Sequence, residues 1–261
     1  MVSAIVRRLA ALALLAVAAP GCGSAAPGDF PPAAEPARSP PATATPAGRL
    51  LRVGSMPEGI VAGGRTGIVA VAGGRVFVGD ERGATVSVLE RGRVVRRIRV
   101  ALQPGGLAVL DRGRVLAVVS ARERVVELFD TRTLARLGRA PAGVGPTHVV
   151  SDGRSTLYVV DTAGDGLLVF RLRPKLALTR RYALPGAPYG VAADRSRNRL
   201  WVTLTRTNEV VELAAGARPH ELARFAAPRQ PDTVAVDERT GRVFVTGTTA
   251  GVLQVLDAPA D

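Results

Sequence analysis

The stretch "GAPYGVAADRSRNRLWVTL", Gly186 to Leu204, is restated 43 residues later as "RQPDTVAVDERTGRVFVTG", Arg229 to Gly247. A chain that repeats itself at this period stacks copies of one supersecondary unit, and this limits the fold more than any other feature here. Each unit opens with a turn and a strand of small residues: "QPGGLAV" at Gln103, "GPTHVVS" at Gly145, "APYGVAA" at Ala187 and "QPDTVAV" at Gln230. A polar hairpin leads to an apolar strand, such as "TLYVVD" at Thr156 or "RLWVTL" at Arg199. A third strand follows ("RVVELFD" at Arg124, "NEVVEL" at Asn208), then a ragged, Arg-rich fourth such as "KLALTRRYAL" at Lys175.

An earlier unit fits from Arg65, and the steps through Pro104, Pro146, Pro188 and Pro231 are 39, 42, 42 and 43 residues. Four strands every ~40–45 residues predict an all-β fold, a β-propeller with five four-stranded blades. Blades stack face to face, so their middle strands read as nearly continuous apolar runs. Inner strands converge on the axis, which suits the small residues Gly106, Ala108, Gly190, Ala192 and Ala235. Outer strands are edges, and Arg96, Arg97, Arg99, Arg180 and Arg181 there discourage pairing with other chains. The last unit stops without a fourth strand, whereas "GRLLRVG" at Gly48 is a strand without a unit. The N-terminal strand is therefore expected to close the fifth blade. "PEGIVAGG" at Pro57 duplicates the opening at Arg65, as a scar of lost blades would.

The repeats resemble the YVTN, or YncE-like, propeller family. Pro188 to Ala192, Tyr158 to Asp161 and Asn208 to Leu213 carry the likeness, which covers residues 48–261. The resemblance implies a propeller, commonly of seven blades where five are counted here, and leaves function open because such motifs specify fold.

Residues 1–21 read as a signal peptide, with Arg7 and Arg8 before the apolar run Leu9–Ala19, which is too short to span a bilayer. "AVAAPGCGS" resembles a bacterial lipobox and implies that Cys22, the only cysteine, is lipidated and anchors the protein to a membrane. The alternative, favoured by Pro20, is ordinary cleavage after Ala18 or Ala19, leaving a secreted protein with a free thiol. Seven prolines between Gly23 and Ala47 mark residues 22–47 as a disordered tether reaching ~70 Å, with no packed structure. Residues 48–261 are the propeller domain.

The formal charge of +13 suggests anionic partners. However, 34 of the 35 basic residues are arginine, as a GC-rich coding bias would produce, so the charge is a weak signal. On a propeller, ligands gather where loops entering the first strand meet those joining the second and third. The candidates on that face are His148, Asp161, Arg82, Gln103, Arg122, Tyr189, Arg206, Gln230 and Asp232, with Glu81, Glu123, Asp165 and Asn208 beside them. His148 and Asp161 fall at the same end of one blade, where a His–carboxylate pair could act as general base or metal ligand. A structural role for each is the stronger expectation.

No cofactor or metal site is read from the sequence. "DTAGDG" at Asp161 lacks the ligands of a calcium loop, and no hydrolase elbow or phosphate loop occurs. Three readings stay open. The favoured one is a non-catalytic binding or scaffold protein using the axial loop face, with an unknown protein or small-molecule ligand. The second is a metal-dependent lyase- or lactonase-like enzyme, which one central histidine supports poorly. The third is a binder of nucleic acid or cell-wall phosphate. Scarce aromatics argue against nucleic acid. A closed five-bladed ring predicts a monomer.

Overall fold

Short apolar runs rich in Val, bounded by turn residues, form strands because β-branched side chains pack well on pleated surfaces. The computed structural model describes residues 35–52, 69–81 and 83–257. Strand β1 is Arg49–Arg52. The first blade follows with β2 (Val69–Ala72), β3 (Arg75–Asp80), β4 (Thr85–Glu90) and β5 (Arg93–Arg99). The second comprises β6 (Pro104–Leu110), β7 (Val115–Ser120), β8 (Val125–Asp130) and β9 (Arg136–Pro141). The third comprises β10 (Pro146–Ser151), β11 (Thr156–Asp161), β12 (Gly166–Arg171) and β13 (Ala177–Ala183). In the fourth are β14 (Pro188–Asp194), β15 (Arg199–Leu204), β16 (Glu209–Ala214) and β17 (His220–Ala226). The fifth holds β18 (Pro231–Val236), β19 (Val243–Gly247) and β20 (Val252–Leu256). No α-helix occurs among the described residues.

These strands make five four-stranded antiparallel sheets, the blades of a β-propeller. The fifth sheet runs β1-β20-β19-β18, with Arg49 opposite Val255 and Arg52 opposite Val252. The orphan N-terminal strand thus supplies the missing outer strand, as the repeat count requires.

The core lies between blades. Ala70, Phe77 and Val86 of the first blade pack on Leu107, Val109 and Leu116 of the second. Ala108, Leu110 and Val126 of the second meet Val149, Leu157 and Phe170 of the third. Tyr158, Val160 and Leu167 of the third meet Val191, Leu200 and Val211 of the fourth. Trp201 and Val210 of the fourth meet Val234, Val243 and Val245 of the fifth. Among the described residues, no cluster joins the fifth blade to the first. Accordingly, Val69 and Val71 on the other face of β2 are 43% and 44% exposed.

The small residues of the inner strands are needed for close approach. A Cβ on Gly106 would lie 3.0 Å from the Val149 nitrogen, and one on Gly190 would lie 2.8 Å from the Asp232 carbonyl oxygen. Outer-strand Arg96, Arg97, Arg99, Arg180 and Arg181 are exposed.

Part of the tether departs from expectation. Residues Ala37–Pro40 and Ala47 are hydrogen-bonded to the fourth and fifth blades. The Ala47 N–H donates to the Ala226 carbonyl, and Gln254 Nε2 donates to the Ala47 carbonyl at 2.7 Å. Composition signalled an unpacked segment because Pro and Ala offer little to bury. The contacts instead use the main chain, which composition does not reveal. The signal peptide, Cys22, the duplicated opening at Pro57 and Arg82 lie outside the described residues.

Candidate functional site

From the second blade to the fifth, every inner strand begins with a proline, and the repeat gives that proline a structural task. Gln103, Ala187 and Gln230, each just before it, take left-handed conformations with φ of 60°, 54° and 61°. Their carbonyls, with that of Gly145, accept from the residue just past the second strand of the same blade. The donors are Ala121, Thr162, Thr205 and Thr248, at 2.9–3.2 Å. Each of these inner strands then carries a register irregularity right after its proline, at Pro104/Gly106, Pro146/Val149, Pro188/Val191 and Pro231/Thr233. Bulges re-aim side chains locally. Here the irregularities span His148, Tyr189 and Asp232, while Gln103 and Gln230 sit just before them.

The structure divides His148 from Asp161. Pro146 pairs with Asp161, so both residues do sit at one end of the third blade. The Asp161 side chain is fully buried and faces its own loop. It accepts from the Gly145 N–H at 2.7 Å and the Val144 N–H at 3.0 Å, and pairs with Arg181 Nη1 at 3.3 Å. This carboxylate is a loop anchor. Arg181, expected only to guard an edge, serves it.

The His148 ring stands edge-to-face on Tyr189 of the next blade, with centroids 4.7 Å apart and planes at 76°. Burial pushes its pKa down to about 4, partly offset by a hydrogen bond with the Tyr189 main chain. His148 is therefore neutral at pH 7 and a poor general base there. Among the described residues, no three His, Cys, Asp or Glu side chains gather as metal ligands would.

The other candidates are spread around the loop side. Arg206 is exposed and pairs with Asp165 at 3.0 Å. Asp165 also accepts from the Ala187 N–H at 2.8 Å. Although burial raises the Asp165 pKa, these partners together hold it below the usual carboxylate value. Gln103 reaches Glu81 only at 3.4 Å. Arg122 is partly buried on the turn after β7.

Gln230 and Asp232 lie beside the N-terminal segment Ala37–Pro40. Residues Ala37–Pro40 run through this place without regular secondary structure, turn or bend. Gln230 Oε1 accepts from the Ser39 N–H at 3.0 Å, and Gln230 Nε2 donates to the Ala37 carbonyl at 3.1 Å. One carboxamide thereby satisfies a donor and an acceptor two residues apart, as a neighbouring strand would. Asp232 Oδ1 accepts from the same Nε2 at 2.9 Å, which fixes the orientation of the amide. Asn208 Nδ2 donates to the Pro40 carbonyl at 3.0 Å, and Arg229 Nε to the Ser39 carbonyl at 3.2 Å. The Ser39 hydroxyl donates to the Thr205 carbonyl and accepts from the Gln230 N–H at 3.1 Å.

Comparisons follow the architecture. No protein family and no curated protein matches the sequence. Solved structures do match. One is a functionally unknown protein from Desulfotomaculum acetoxidans DSM 771, with a TM-score of 0.61 and 11% identity over 74% of this chain and 69% of that one. A chain of the mitotic checkpoint complex matches with a TM-score of 0.65 and 10% identity, covering 74% and 63%. Dihydro-heme d1 dehydrogenase NirN, in complex with DHE, matches with 0.58 and 19% over 71% and 42%. The likeness is one of fold. The chain spans less than half of NirN and just under two thirds of the checkpoint chain.

Thr205 and Ser39 were not singled out as a site in the sequence, whereas Asn208 falls among the loop-face candidates there. Asn208 carried a signal of sorts, because asparagine before a third strand suits the left-handed turn position it takes, with φ of 56°. Ser39 had none.

Proposed function

We propose that this protein is an exported, membrane-tethered propeller that binds a partner without catalysis, through the loop side of its blades. The observation that carries this reading is the grip of Gln230, Asn208 and Arg229 on a stretch of main chain. That is binding chemistry, built from neutral amides and a guanidinium, with the acid–base partner of His148 directed elsewhere. A lipid on Cys22 would hold the molecule to the bacterial membrane.

Two experiments test this. Cys22→Ser should move the protein from the membrane fraction to the soluble fraction; unchanged membrane retention would refute the lipid anchor. Thermal melts of the full chain with divalent metals, EDTA, single-stranded DNA and cell-wall phosphate should leave the midpoint in place, since a ligand of the native state raises it by mass action. A metal-dependent rise lost in His148→Ala would instead establish the enzyme reading. A rise with DNA or phosphate that vanishes with added salt would establish the anionic-polymer reading.

A further inference from the structure

We propose that the cleft between the fourth and fifth blades, at Gln230, is a peptide-binding site for an extended, proline-flanked serine segment of another protein. In this reading Ala37–Pro40 occupies the cleft in cis as a stand-in ligand. The proposal rests on the loop-side binding reading and names its ligand.

Four of the contacts address the main chain alone: Gln230 twice, Asn208 once and Arg229 once. They accept any sequence that can lie extended. Proline-rich segments do so with little loss of conformational freedom. One contact reads a side chain. The Ser39 hydroxyl is donor to Thr205 and acceptor for Gln230, and Ser39 is 5% exposed. Alanine there would leave the Thr205 carbonyl without this donor and the Gln230 N–H without one of its acceptors. A long side chain would not fit the enclosed position. The ligand is thus defined as an extended backbone with one serine, and prolines beside it.

The cis segment is arranged to leave. Pro41–Thr45 are exposed, and no hydrogen bond ties Pro41–Pro46 to the described blades; the next anchor is Ala47. Ala37–Pro40 can therefore detach while β1 stays paired. A second copy of this chain offers nothing new, since its own segment already makes the same bonds in cis. A different protein with a serine–proline stretch can gain the site.

A segment tethered this closely competes at an effective concentration on the order of millimolar. A ligand with an intrinsic dissociation constant near ten micromolar would then look roughly a hundredfold weaker to the native chain.

The test uses a fluorescein-labelled peptide of residues 36–44 (Pro-Ala-Arg-Ser-Pro-Pro-Ala-Thr-Ala) and fluorescence anisotropy with the full chain. The Ser39→Ala chain, whose own segment grips less, should bind the peptide at least tenfold more tightly than the native chain. Adding Gln230→Ala to it should abolish that gain, and a peptide with alanine in place of serine should bind at least tenfold more weakly. Asp232→Ala, which removes the acceptor that orients the Gln230 amide, should weaken binding while the melt stays cooperative. No binding by a cooperatively melting Ser39→Ala chain at millimolar peptide would overturn the proposal, as would binding indifferent to Gln230→Ala. A native chain that dimerises by exchanging its arm, and that peptide returns to monomer, would assign the site to a second copy and also overturn it. Such failures leave the loop-side reading itself standing unless the His148-dependent metal effect is also seen.

Discussion

Asp161 and His148 sit at one end of the same blade and differ in how their burial is balanced. Two amide N–H groups and Arg181 compensate the Asp161 carboxylate. Asp161→Asn would offer one acceptor oxygen and an NH₂ group to sites that demand only acceptors. It should cost about 2–3 kcal/mol in chemical denaturation, with peptide binding unchanged in the Ser39→Ala background. His148 is compensated less fully, and its Nδ1 has no hydrogen-bond partner. Its pKa, pushed down to about 4 in the folded protein, lies below the unfolded value near 6.5. The unfolded chain therefore binds the extra proton between these values. The stability contribution is complete above pH 6.5 and is lost as pH falls towards 4. His148→Phe keeps an aromatic ring beside Tyr189 and should remove up to about 3 kcal/mol of that acid sensitivity, read as a flatter stability profile between pH 4 and 6.5. An unchanged profile would show that His148 titrates normally in the native state.

Among the elements, β1 carries the greatest leverage, since four residues complete the fifth blade. Leu51→Pro removes a strand donor and restricts the backbone of this strand. Amide exchange at Val252–Leu256 should then accelerate, while the second and third blades keep their protection. Uniform acceleration would mean that the blades unfold only together. This strand was legible in the sequence because a repeat count leaves a remainder: one unit lacked a strand, and one strand lacked a unit. Burial of middle strands such as Thr156–Asp161 was legible for a related reason, as an unbroken apolar run has no solvated face. The arm at Ala37–Pro40 was not legible. Its contacts run from side-chain amides to main-chain atoms across more than 160 residues, and main-chain atoms are the same in every sequence. The split between Asp161 and His148 was hidden as well. Register places both residues at one end of a sheet, but the direction of a carboxylate depends on which amides the preceding loop presents.

For the molecule as a set of blades, stability is distributed over the interfaces between neighbours, as in other repeat proteins. Leu107 is fully buried between the first and second blades, and Leu107→Ala should cost about 2–5 kcal/mol. Val71, on the face of the first blade that meets no described cluster, should tolerate alanine within about 0.5 kcal/mol. Equal losses would show that the fifth blade, or another element, covers that face in solution. Function, as proposed, is inferred from the arm lying in the cleft that a partner segment would take. Native-state hydrogen exchange of the full chain measures this directly. The Ser39 and Ala47 amides should be protected along with Gln230 and β1, because each donates to a defined acceptor. Protected blades with Ser39 and Ala47 exchanging at the rate of an unfolded peptide would contradict the account.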